Sequence, residues 1–295
     1  MNKIVAAACA AVLGSALPAV QAAGHYVAGV EGLQAASVPP PGSYYLGYLV
    51  HYDIGSFRAP ASSEALPGDN TGSVTALANR LVWISPHRLL GADWGMEAIV
   101  PVLRKSLQIG AIGFDKRESG VGDVYLGPLV LGWHGPRWDA VAAAGVWLDN
   151  ADSDTPAAPG NGYRSTMLTL GGTLHSDTTR TASVSVLMRY EINSRTDAGF
   201  KPGEQVTLEW GVGRQFGPVQ LGVVGYQQWQ VGRDEGPGAG DAKSSRHALG
   251  GEVVWPRMDI GLILKGALYR ELGAKGGTSP EPRGSLLRVT LVKPF

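Results

Sequence analysis

The stretch Ala182-Ser183-Val184-Ser185-Val186-Leu187-Met188-Arg189-Tyr190-Glu191-Ile192-Asn193 decides the fold. Read by parity, Ala182, Val184, Val186, Met188, Tyr190 and Ile192 form one face, and Ser183, Ser185, Leu187, Arg189, Glu191 and Asn193 form the other. A period of two with one oily side is a strand; a helix would scatter both sets around its circumference. The next run repeats the pattern, with Val206, Leu208, Trp210 and Val212 against Gln205, Thr207, Glu209, Gly211 and Gly213. Trp94, Met96, Ala98, Val100 and Val102 stand opposite Glu97; Leu249, Gly251, Val253 and Trp255 opposite Glu252; Leu262, Leu264, Gly266 and Leu268 opposite Lys265. The run at 73–85 alternates too weakly for its faces to be assigned.

Working outward, twelve runs are predicted, at 43–56, 73–85, 94–104, 121–134, 138–149, 163–175, 181–193, 204–215, 219–231, 246–255, 260–271 and 284–295. Their joints alternate in length. Long polar connections at 57–72, 105–120, 150–162, 194–203, 232–245 and 272–283 alternate with short turns at 86–93, 135–137, 176–180, 217–218 and 256–259. An even strand number with long loops on one side and short turns on the other is the layout of a bacterial outer-membrane barrel. A soluble sandwich alternates too, but its crossovers have no reason to sort loops this way. The expected fold is all-β: a transmembrane, antiparallel, up-and-down β-barrel of about twelve strands over residues 43–295, its short turns periplasmic.

The ends agree. Lys3, an uncharged run over 4–20 and the small residues of Val20-Gln21-Ala22 predict a secretory signal peptide over 1–22, cleaved after Ala22. Export to the bacterial outer membrane follows. Cys9, the only cysteine, falls in that leader, which excludes disulfides and thiol chemistry from the mature chain. No later stretch has the 18 uninterrupted apolar residues of a membrane helix. At the other end, Leu287, Val289, Leu291 and Phe295 place a strand with a terminal aromatic, expected to pair with the first strand so that no edge is left unsatisfied in lipid. With 25 basic and 25 acidic residues and no basic stripe, nucleic acid is excluded as a partner. The expected partners are outer-membrane lipids, lipopolysaccharide, the barrel assembly machinery and a small hydrophobic or aromatic solute; no metal or cofactor is implied.

Gly32-Leu33-Gln34-Ala35-Ala36-Ser37-Val38-Pro39-Pro40-Pro41-Gly42-Ser43-Tyr44-Tyr45 and Gly120-Val121-Gly122-Asp123-Val124-Tyr125-Leu126-Gly127-Pro128 resemble the outer-membrane proteins grouped as the meta-pathway phenol-degradation family. The resemblance implies a channel or uptake protein associated with aromatic-compound catabolism. A terminal Phe295 likewise resembles the signal read by the barrel assembly machinery.

Candidate functional residues follow from the faces. With the apolar parity in lipid, Glu97, Arg189, Glu191, Glu209, Glu252, Lys265 and Arg288 point into the lumen, because Arg or Lys on the lipid face at mid-depth costs roughly 2–4 kcal/mol. They form either a salt-bridge network stiffening a narrow barrel or a polar constriction, with Trp147 and Tyr226 as contacts for an aromatic ring. Trp94, Trp133, Trp138, Trp210, Trp229 and Trp255 fall near strand ends, as an interfacial girdle. The Pro-rich segment 23–42 is too poor in donors for a strand. It is either a rigid periplasmic lead-in or a luminal plug involving Glu31, Pro39, Pro40 and Pro41. A structural or adhesive barrel without transport is an alternative reading. A lipid hydrolase is another, but no Ser is spaced from His25, His51, His87, His134, His175 or His247 so as to compel a catalytic dyad.

Overall fold

The computed structural model describes residues 24–257 and 259–295, so the expected signal peptide and Cys9 lie outside the described residues. Thirteen β-segments follow in chain order: β1 Gly42–Arg58, β2 Asn70–Leu89, β3 Ala92–Ile109, β4 Phe114–Val121, β5 Tyr125–His134, β6 Trp138–Trp147, β7 Ser165–His175, β8 Ala182–Asn193, β9 Gln205–Phe216, β10 Val219–Gln230, β11 Ser245–Arg257, β12 Leu262–Lys275 and β13 Glu281–Pro294. Each pairs antiparallel with its sequence neighbour, except that β4 and β5 both pair with β3. They are two halves of one stave, broken at Gly122–Val124, so the barrel has twelve staves. β13 pairs with β1 from Pro294 opposite Tyr44 to Glu281 opposite Arg58, which closes the ring. Closure leaves the spanning backbone without an open edge in hydrocarbon. Among the described residues no helix is long and apolar enough to cross a membrane.

The parity argument holds in three dimensions. Val184, Val186, Met188 and Ile192 of β8 point outward, while Ser183, Ser185, Leu187, Arg189, Glu191 and Asn193 are buried inside. Leu168, Leu170 and Leu174 of β7 and Leu221, Val223 and Trp229 of β10 continue the same outward belt. Leu170, 56% exposed at the middle of β7, sits opposite Ala142 and Met188. Leu170→Arg is expected to destabilise the barrel in vesicles by about 2–4 kcal/mol in urea titrations. A cost near zero would place that face in water.

Two boundaries differ from the sequence reading. The stretch 105–120 is not a loop: β3 runs on to Ile109, a 3-10 turn occupies Gly110–Ile112, and β4 returns from Phe114. The second stave, whose faces the sequence left open, turns its even residues inward, Arg80, Val82 and Ile84 among them, and shows Leu77, Leu81 and Trp83 to lipid. Both differences have one cause. Beyond Leu49 and Leu77 the outward residues become polar, namely His51, Asp53, Thr71, Ser73 and Thr75, as do Arg104 and Gln108 on β3. The inward ones there are Val50, Tyr52, Ile54, Leu103, Leu107 and Ile109. The long-loop ends of β1–β3 therefore stand beyond the lipid with their polar side in water, and the oily parity changes sides. An apolar lining inside the barrel results.

Candidate functional site

Residues 24–41 run down the lumen from the long-loop end to the short-turn end. Gly24 to Tyr26 lie beside the outer ends of β7 and β8, where Glu191 accepts the His25 amide (3.0 Å) and the Tyr26 amide (3.3 Å). At mid-depth Glu31 meets Arg80 at 3.0 Å and Arg189 at 2.8 Å. Arg80 also pairs with Glu97 at 2.5 Å and donates to the Tyr48 hydroxyl at 3.1 Å. The Arg189 guanidinium lies 4.0 Å from the centre of the Tyr26 ring, whose hydroxyl donates to Glu209. Glu209 also accepts the Glu31 amide (3.1 Å), and Glu252 accepts the Leu33 amide (2.6 Å). Arg288, wholly buried, faces Glu252 at 2.6 Å and donates to the Gly29 and Val30 carbonyls. Burial alone would raise the Glu31 carboxyl, but Arg80 and Arg189 hold it down to about 2. With the folded value depressed, this contribution is full above the ordinary carboxylate range and is lost only as pH falls toward 2.

Backbone conformation lets the segment fit. Gly32 has φ +68°, and a Cβ there would collide with the Glu252 carboxylate. The wall is cut away to match: Leu33 packs on Gly211, Gly213 and Gly222, where a wall side chain would strike it. Lower down, Ser37 donates to Asp139 (2.7 Å), which also receives Arg180, His134 and His175 at the short-turn mouth. Pro39 is half-buried and Pro40 and Pro41 are exposed, so the prolines lead the chain out of the lumen into β1.

Above Glu31 the segment leaves a cavity of about 240 Å³ against the outer ends of β1–β3. Val50, Ile54, Phe57, Val74, Leu103 and Leu107 make its wall, and Pro156 and Pro159 of the 148–164 connection close over it. Arg80, Glu97, Glu31 and Arg189 form its charged floor. That connection also covers the free edge of β4: Thr155 donates to Glu118 (2.7 Å), and Asp123, at the break in the stave, accepts the amides of Asn150, Ala151 and Asn161.

Of the residues singled out in the sequence, Glu97, Trp147, Arg189, Glu191, Glu209, Tyr226, Glu252 and Arg288 are buried on the luminal side, and Lys265 is half-buried there. Glu97, Trp147, Arg189 and Tyr226 line the cavity; Glu191, Glu209, Glu252 and Arg288 grip the N-terminal segment instead. Trp138, Trp229 and Trp255 face outward near strand ends. Phe295 is 79% exposed, its amide donating to the Ser43 carbonyl.

Sequence spacing missed a Ser–His–Asp constellation. His25 Nδ1 lies 2.9 Å from Ser165 Oγ, and His25 Nε2 lies 3.2 Å from Asp123, with Trp147 stacked on the imidazole. Ser165 has no exposed surface and donates its hydroxyl to Asn193 (2.7 Å), so no substrate reaches it in this arrangement. The three residues join the N-terminal segment to the wall.

An antiparallel closed barrel with an aliphatic belt outside and an ionic lumen is an outer-membrane β-barrel. More narrowly, the chain belongs to the family described as "Putative MetA-pathway of phenol degradation", whose model matches residues 54–275. Among solved structures it is similar to the COG4313 outer membrane channel from Pseudomonas putida F1, with 16% identity and a TM-score of 0.76 over 88% of this chain and 97% of that one. The β domain of the Bordetella autotransporter BrkA is similar at 12% identity and a TM-score of 0.50, over 86% of this chain and 99% of that one. Both likenesses are of fold. No curated protein matches the chain.

Proposed function

We propose that this protein is an outer-membrane channel for small hydrophobic, above all aromatic, molecules, which enter the lumen from the long-loop side and are held back by residues 24–41 acting as a plug. The observation that carries this reading is the apolar chamber of about 240 Å³ inside an otherwise ionic lumen. A general porin needs a wet, charged eyelet, whereas an oily pocket above a charged floor favours an uncharged ring or hydrocarbon body. Membership of a phenol-degradation family and likeness to a solved channel point the same way. The reading requires no catalytic group. Its finer parts are a leader removed on export, Phe295 as the mark for the barrel assembly machinery, and lipopolysaccharide around the outer ends of the staves.

In planar bilayers the refolded mature protein is expected to give small, steady conductance steps that phenol reduces in a saturable way. A folded protein that conducts nothing, with or without residues 26–38, sinks the channel reading. Phenol-insensitive conductance sinks the aromatic part of it.

A further inference from the structure

The chamber's wall contains one group that the apolar reading leaves unused. Lys105 is on the inward parity of β3, between Leu103 and Leu107, and lines the cavity. The other luminal cations at this depth are engaged: Arg80 with Glu31 and Glu97, Arg189 with Glu31, and Arg246 with Glu271 and Glu281 at 3.7 Å each. Among the described residues no carboxylate lies within ion-pair distance of Lys105. Its two acidic neighbours act on it only from beyond that distance and accept hydrogen bonds from other groups. Glu118, directly opposite in the ladder, accepts the Thr155 hydroxyl; both oxygens of Asp123 are taken by backbone amides of the covering connection, with His25 beside one of them.

An ammonium group among oily side chains is poorly solvated, and without a carboxylate in contact with it, it is costly to keep there for packing alone. The Cβ and Cγ methylenes would pack as well without the charge. The cavity is also smaller than the roughly 300–1,000 Å³ of sites for drug-sized ligands. It suits one ring. We propose that the chamber binds single-ring aromatic carboxylates, the ring against Val74, Leu103 and Leu107 and the carboxylate on the Lys105 ammonium. Lys265, the second luminal lysine without a carboxylate at ion-pair distance, lies two residues along β12 from the Ala267–Arg288 pair, toward the short turns. It offers the next cation once the plug has moved aside.

This rests on the channel reading and narrows its solute. The test is equilibrium dialysis of radiolabelled benzoate against the folded, detergent-solubilised protein at neutral pH, with benzyl alcohol as the uncharged competitor and heat-modifiable migration on gels as the check of folding. Benzoate is expected to bind about tenfold more tightly than benzyl alcohol, since a charge-assisted hydrogen bond contributes that much or more. Lys105→Gln is expected to remove the preference, bringing benzoate binding down to the level of benzyl alcohol, and Lys105→Arg to retain it. Equal binding of the two compounds, or a preference that survives Lys105→Gln, overturns the proposal and leaves the aromatic channel standing. Binding of neither overturns the proposal, and the channel reading then stands or falls on conductance alone.

Discussion

Removing residues 26–38 is expected to raise single-channel conductance several-fold while the barrel still folds. The deleted stretch holds Tyr26, Ala28, Leu33 and Ala36, all buried inside the ring, together with Glu31, which ties Arg80 to Arg189 across the lumen. Barrels of eight strands are filled by their own side chains and those of sixteen leave an aqueous channel, so twelve staves enclose more space than the wall residues fill. Here the wall is thinned further by Gly171, Gly211, Gly213 and Gly222, which touch the segment and contribute no side chain of their own. Water would take the vacated volume and solvate Glu191, Glu209 and Arg189, so fold and plug are separable. The measurement is conductance of the deleted and full-length proteins in the same bilayer, each first shown to be heat-modifiable. Equal conductance would mean that the current never passes the Glu31 level.

The lipid-facing half of this architecture was legible in the sequence because hydrocarbon imposes one rule at every second residue. Val184, Val186 and Met188 obey it, and Arg189 and Glu191 had nowhere to go but inward. Beyond the belt the rule lapses. His51, Thr75 and Arg104 face water, Val50, Val74 and Leu103 face the chamber, and a reader searching for oil outside finds the pattern reversed and assigns a loop. Lys105 was hidden for that reason, and Arg80 because Ala76 and Ala78 blur the parity of its strand. His25 and Glu31 belong to a segment with no period, so only the register of distant staves brings them to Asp123 and Arg189. The sequence does carry one trace of the segment's path. Luminal positions filled by glycine at 211, 213 and 222 leave a groove that something must fill. Three prolines told how the segment leaves the barrel, though not where it had been.

Arg288→Met is expected to cost about 3–5 kcal/mol in urea unfolding from vesicles, and to open the channel in part. Arg288 is on β13, at the closing seam, opposite Val50 of β1 and Ala267 of β12, with none of its surface exposed. One Nη faces Glu252 at 2.6 Å; the other donates to the carbonyls of Gly29 and Val30, so a single planar fork joins the wall to the plug. Methionine matches its bulk and removes every donor. The Glu252 carboxylate would then keep only the Leu33 amide, and two carbonyls would be stranded in a site closed to water. Glu252→Gln in the Arg288→Met background is expected to recover much of the loss, because it removes the uncompensated charge. The size of that recovery separates the ion pair from the plug contacts: near-complete recovery of stability with conductance still raised assigns the fold to the Glu252 pair and the closure to the two carbonyls. A loss below about 1 kcal/mol for Arg288→Met would instead match an exposed pair and contradict burial of Arg288 behind the plug.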